Sequence, residues 1–247
     1  MQIIIAPAKK MVVDQDTFAV QGQPQYLQAA ATLLAAMQRL SLKEAQALWR
    51  CSDKLAQAAY RRLLATTLAG PQTPALVAFS GLAYQAMAPD LFTAPALAYV
   101  QANLRILSGF YGVLRPFDGV VPYRLSLDER LAVGEYRDLY AFWGARLYAA
   151  LDFSHGPVLD LASKEYSRAV APYLRLGESL VAVVFAQLVD GRPKVKATLA
   201  KQARGAMVRY LAEHQVTTLA GVAGFDDPRY RFDPERSSDR QLVFIQR

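Results

Sequence analysis

Cysteine occurs once in the 247 residues, at Cys51, and histidine twice, at His155 and His214. A single cysteine excludes an intramolecular disulfide, and three such residues cannot supply a full set of zinc ligands. No apolar run approaches the roughly 18 residues of a membrane span. The opening MQIIIAPAKK lacks the basic start, long apolar stretch and small-residue cleavage site of a signal peptide. These absences point to the reducing cytoplasm, with no membrane partner. G-x-S-x-G, Walker A and G-x-G-x-x-G are missing too, which removes the usual marks of hydrolases, P-loop NTPases and dinucleotide binders.

What is present is apolar bulk and positive charge. Hydrophobic residues make up 53% and charged residues 20%, enough for a large core and against a disordered chain. Lys and Arg total 28 against 21 Asp and Glu, a formal charge of +7 that favours polyanions as partners. No Pro/Gly/Ser-rich linker divides the chain, so one domain over residues 1–247 is expected.

The pattern of apolar residues predicts α/β structure, mixed and close to α+β. Strands are expected at Met1–Ala6, Ala75–Phe79, Asn103–Ser108, Pro157–Ala162 and Leu180–Leu188. Asp190-Gly191 signals a hairpin that pairs residues 192–197 back on the last of these. Two further strands lie between Tyr230 and Ile245, joined by a polar loop at Pro234–Arg240. Helices are expected over Gln25–Arg39, Tyr140–Leu151 and from a Thr198 cap to His214, with a short one after Ser163. Ser41 and Glu44 form a capping box that opens a helix at about Leu42–Arg50, and Ser52 caps another over Lys54–Ala65. That pair, broken at Cys51–Asp53, admits a helix-turn-helix or a helix-hairpin-helix. The result is a mixed sheet wrapped by helices.

Charge is concentrated in two stretches. Residues 192–209 hold Arg192, Lys194, Lys196, Lys201, Arg204 and Arg209 and no acid. At about 100° per residue, Lys201, Arg204 and Arg209 share an arc of roughly 140°. A phosphate footprint and a solvated helix face both fit; the missing Glu at i±4 argues against the second. The other stretch holds Arg39, Lys43, Arg50, Lys54, Arg61 and Arg62, offset by Glu44 and Asp53. Lys9 and Lys10 follow the first strand, where open sheets carry functional loops; two solvated lysines in a turn fit as well. Asp118, Asp160 and Glu165 offer carboxylates for acid/base work, but their spacing does not bring them together. His155 and His214 fit structural roles in a turn and at a helix end.

Several segments are distinctive: LSGFYGVLRPFDGVVPYRL (107–125), DLYAFWG (138–144), DLASKEYSRAV (160–170) and KQARGAMVR (201–209). Together with PAKKM, SDKLA and GFDDPRYRF they resemble, from end to end, the YaaA peroxide-stress protein family. The resemblance implies a cytosolic protein that limits hydrogen peroxide damage, in part by lowering free iron. It also implies a DNA-binding α/β fold with a helix-hairpin-helix element, which falls at about residues 40–65, and a basic cleft. On matching positions the cleft draws on Arg115, Tyr123, Arg124, Lys164, Tyr166, Lys201, Arg204 and Arg209, joined by Lys9, Arg50 and Lys54. Three positions depart from the pattern: Lys10 stands for Thr, Ser126-Leu127 for Glu-Met, and Arg229 for Gly. Loss of that Glu removes a carboxylate from this stretch.

Arginines suit bidentate phosphate contacts, and Tyr111, Tyr123 and Tyr166 suit stacking or phosphate donation. For Tyr111, a buried role in the fold fits equally. The leading expectation is a protein without turnover that binds duplex or branched DNA by backbone and shape. No cofactor and no obligate protein partner are expected. The alternative is an enzyme acting on a nucleotide or nucleobase-like molecule in the same cleft; an enclosed pocket favours it, an open groove favours DNA. Direct iron binding, which needs a carboxylate cluster, fits least.

Overall fold

A computed structural model describes residues 1–247. In chain order the elements are β1 (Ile3–Ile5), α1 (Leu27–Gln38), α2 (Leu42–Trp49), α3 (Asp53–Ala65), β2 (Thr73–Pro74), α4 (Ala75–Ala78), α5 (Leu82–Met87) and α6 (Ala94–Asn103). Then come β3 (Leu104–Ser108), β4 (Gly112–Leu114), β5 (Gly119–Val120), α7 (Leu139–Trp143), α8 (Arg146–Ala149), β6 (Val158–Leu161) and α9 (Lys164–Ser167). The last third supplies β7 (Leu180–Val189), β8 (Arg192–Lys194), α10 (Ala197–Glu213), α11 (Leu219–Ala223), β9 (Tyr230–Phe232) and β10 (Gln241–Gln246).

Eight strands form one mixed sheet in the order β4-β3-β1-β6-β7-β10-β9, with β8 folded back on β7. The five central strands are parallel, with Ile4 opposite Arg105 on one side and Asp160 on the other. Parallel strands buried on both faces read as continuous apolar runs, and Ile3-Ile4-Ile5 is buried throughout. The chain leaving β1 returns as β3 on one side, whereas the chain leaving β6 returns as β7 on the other. That reversal opens a crevice beyond the C-terminal ends of β1 and β6. One core cluster of 62 buried residues runs from Ile3 to Phe244 and makes this a single compact domain. No helix is long and apolar enough to cross a membrane.

The predicted strands at residues 1–6, 103–108, 157–162 and 180–188 are present, as is the hairpin, where Asp190 and Gly191 both take positive φ. Ala75–Phe79 is different: Ala75–Ala78 is a helical turn, because a short apolar run buried all round carries no period that separates helix from strand. The helix expected over Tyr140–Leu151 breaks at Gly144, whose φ is +50°, into α7 and α8. Thr198 lies inside α10, which starts at Ala197 behind a Lys196 that caps nothing. The Ser41–Glu44 capping box is formed in full, while Ser52 and Ser163 hold N-cap positions without a side-chain bond.

α2 and α3 are joined through Arg50, which adopts the left-handed region at φ 48°, and Gln46 braces the turn by donating to Asp53 at 2.6 Å. The helix pair is therefore real, but its assignment to the helix-hairpin-helix class rests on resemblance. Trp49 closes α2 by donating its indole N–H to the Arg124 carbonyl at 2.8 Å, which ties the pair to the sheet's C-terminal edge.

Candidate functional site

Pro7 removes the next ladder donor and ends β1, so the chain turns out over the crevice as Ala6–Lys10. Three bonds hold this turn. The Tyr84 hydroxyl donates to the Ala6 carbonyl at 3.1 Å, the Ser80 N–H to Lys10 at 2.9 Å, and the Val12 N–H to Ala78 at 2.9 Å. Tyr84 belongs to α5, which lies against α10 with no side chain between them at Gly205. A Cβ there would overlap the Ala83 carbonyl. The glycine of KQARGAMVR thus lets α5 reach α10, and the residues on either side of the contact, Tyr84 and Arg204, face one cavity.

That cavity, about 380 Å³, is walled by Lys9 and Lys10 after β1, Glu165 and Tyr166 after β6, Tyr123 and Arg124, and Lys201 and Arg204 from α10. Five cations therefore meet one acid on its lining. Tyr123 is fixed from behind: its hydroxyl shares a 2.7 Å bond with Ser108, and its ring stacks on Phe110 at 4.8 Å. Ser108 also accepts the N–H groups of Phe110 and Tyr111, at 3.1 and 2.8 Å, so the end of β3 is braced against the site. Burial pushes the Tyr84, Tyr123 and Tyr166 hydroxyls far up, which keeps them neutral donors.

Carboxylates stand behind the cations. Asp160, at the end of β6, is buried and accepts from the Ala162 N–H at 2.8 Å; burial raises its pKa, against the attraction of Arg204. Burial also lowers the Arg204 pKa, against the attraction of Asp160. Glu129 is buried and accepts from the Ser126 N–H at 3.0 Å, with burial again pushing its pKa up against Lys9 and Arg124. Glu165 is raised by burial first and by Asp128 second. Five buried side-chain polar atoms in the protein have no protein partner, and four belong here: Arg124 Nε, Glu129 Oε1, Glu165 Oε1 and Arg204 Nε. Buried polar atoms are nearly always paired, so this concentration singles out the crevice as the candidate site.

Of the residues expected from sequence, Lys9, Tyr123, Arg124, Tyr166, Lys201 and Arg204 line the cavity. Lys164, exposed on the first turn of α9, lies outside the lining, and so does Lys54, exposed on α3. Arg50 pairs with Asp128 at 2.7 Å. Arg209 pairs with Glu213 at 2.8 Å, so the i+4 acid missing from residues 192–209 stands just beyond them. Arg115 is held by Asp118 beside Arg105, away from this cavity. Tyr111 is buried, and its hydroxyl accepts from the Val121 N–H at 3.2 Å, a part of the fold. Sequence reasoning missed Tyr84 and Glu129. The Gly81 break before α5 and the acidic pair Asp128-Glu129 after Pro-Tyr-Arg-Leu were the available signals. The carboxylate lost at Ser126 is answered three residues on by Glu129, which bonds that same residue.

The chain is thus a mixed α/β protein whose switch-point crevice is walled by cations and backed by buried acids. Residues 1–236 match the family described as peroxide stress protein YaaA, and the chain belongs to it. It is 56% identical over 245 residues to a UPF0246 protein of Lactiplantibacillus plantarum, covering 99% of both chains. A UPF0246 protein of Pediococcus pentosaceus is 48% identical over 99% of this chain and 98% of its own. One of Lachnoclostridium phytofermentans is 40% identical, with 99% and 96% covered. The family places the chain in the response to oxidative stress.

Proposed function

We propose that this protein acts in peroxide stress by binding DNA across the crevice at the β1 and β6 ends. The observation that carries this reading is the meeting of Lys9, Lys10, Arg124, Lys201 and Arg204 on one wall, two of them with a buried, unpartnered Nε. Guanidinium groups suit phosphate oxygens through bidentate contacts. A cavity of about 380 Å³ takes a nucleotide-sized group and no duplex, so the duplex lies over the mouth and its backbone meets the rim. Lys54 and Lys164, both exposed outside the lining, add to the positive surface, and the α2–α3 turn presents a second backbone contact as a helix-hairpin-helix.

Titrating labelled duplex and junction DNA at several salt concentrations tests the reading. Binding that weakens steeply with salt supports it, because each neutralised phosphate releases counterions. No shift at micromolar protein and low salt overturns it. Limiting of iron damage is read as indirect, since no three His, Cys, Asp or Glu side chains gather into a metal-holding group. Stoichiometric iron in anaerobically purified protein would reverse that.

A second reading is favoured by the buried acids. Burial raises the pKa of Glu165 on the lining and of Glu129 and Asp160 behind it, which sets carboxyl groups suited to proton transfer beside the cations. An enzyme on a nucleotide or nucleobase-like molecule would use them so. Conversion of a nucleotide by wild type and its loss in Glu165→Gln with retained binding would establish it.

A further inference from the structure

Behind the cation wall lies a second chamber, of about 420 Å³, that shares Lys9, Lys10, Tyr123 and Arg124 with the first. Both are mostly apolar in surface; they differ in the side chains each adds to the shared four. Where the first chamber adds Glu165, Lys201 and Arg204, the second adds Leu34 and Met37 of α1, Trp49 of α2, and Leu55 and Leu63 of α3, with Arg62 as its one further charge. Phe110 lies beneath the shared Tyr123 ring, 4.8 Å away and nearly parallel. Leu55 is exposed at the rim although it lines an apolar space. Lys9, Lys10 and Arg124, with Tyr123 among them, thus form a cationic ridge between the two chambers, and the second is lined beyond it by aliphatic and aromatic side chains.

From this juxtaposition we infer that the apolar chamber is a subsite for a single nucleobase, whose phosphate sits on the Lys9–Lys10–Arg124 ridge. The inference rests on the DNA reading above and names which part of the DNA enters. An anion alone needs only the ridge; an apolar chamber opening on that ridge suits a ligand with a flat, uncharged group one bond or two from its charge. A nucleotide outside the base stack has that form, since its base has already lost its neighbours. Aromatic and aliphatic walls accept any base by its face, without reading its edge. The consequence is a preference for DNA carrying an unpaired nucleotide over continuous duplex.

The experiment compares three duplexes of one sequence: fully paired, with one bulged nucleotide, and with an abasic residue at the bulge. The bulged form is expected to bind about tenfold more tightly than the abasic one, the scale of losing one base stack. Ala58→Trp fills the chamber from an exposed position on α3 and should erase that difference while leaving affinity for paired duplex intact. Gln57→Trp, next to it and outside the lining, should keep the difference. Equal affinity for bulged and abasic DNA, with duplex binding intact, overturns the subsite and leaves the DNA reading standing. No binding of any DNA at low salt removes both. Competition by dodecanoate, with no gain from the base, would give the chamber to an acyl anion and overturn the inference.

Discussion

Arg50 and Arg209 come from the two most basic stretches of the chain, yet each ends beside a carboxylate, Asp128 at 2.7 Å and Glu213 at 2.8 Å. Arg204, from the same stretch as Arg209, and Arg124 instead have buried Nε atoms without a protein partner, beside the crevice. Exposed pairs of the first kind contribute little and are readily screened. Cations of the second kind have a donor that lost its hydration on folding without gaining a protein partner, a cost that a water or a bound group would offset. Density of charge along the chain therefore says less about binding than the company each charge keeps after folding.

The comparison breaks first at the wall that gathers the free cations. Gly205→Ala forces its Cβ into Ala83 and should cost about 3 kcal/mol in urea unfolding. A loss under about 1 kcal/mol would mean that α5 can retreat from α10. Replacing Lys9, Arg124 and Lys201 together by Ala should lower DNA affinity by about a hundredfold and flatten the logarithmic salt slope by about 2.7, at roughly 0.9 per phosphate contact. The matched surface triple at Arg192, Lys194 and Lys196 should change it only severalfold. Equal effects in anisotropy titrations would erase the distinction between the two groups.

Glu165 sharpens the comparison through pH. Its pKa is raised, so it takes up a proton as pH falls toward the raised value, removing the negative charge from the lining. DNA affinity of the wild type should rise across that window. Glu165→Gln should bind more tightly at neutral pH and lose most of this dependence. The sign for stability is the same: a carboxyl raised by folding opposes the fold increasingly as pH climbs past its unfolded value. The smallest effect belongs to Arg209→Ala, expected within about 0.5 kcal/mol of wild type in unfolding and within twofold in DNA affinity.

Much of this architecture was legible in the sequence. Ile3-Ile4-Ile5 reads as a strand because all three are β-branched and Pro7 stops the run, and Asp190-Gly191 turns the chain because both residues tolerate positive φ. Ala75–Phe79 and the broken helix at Gly144 were not legible, the first for lack of a period, the second because one glycine is ordinarily tolerated in a helix. α6 did carry a signal, Thr93 capping Ala96 ahead of Pro95, which passed unread. Within the site, the motifs found Lys9, Tyr123, Arg124, Tyr166, Lys201 and Arg204, since these lie at strand ends or on α10. Arg115 was misleading because it shares a motif with Tyr123, while the turn between them sends the two side chains to different places. Which acid would answer which cation depends on approach across 78 residues for Arg50 and Asp128, and no local pattern records that.

The bare contact between Gly205 and Ala83 also limits how this protein can vary. Any side chain at 205 must be matched by a shift of α5, and α5 carries the Tyr84 hydroxyl that holds Ala6 and, through it, the turn bearing Lys9 and Lys10. A single codon on α10 is thereby tied to the width of the crevice on the far side of α5. Mutation can retune the charges around the cavity one at a time, but it can widen the cavity only by moving three segments together.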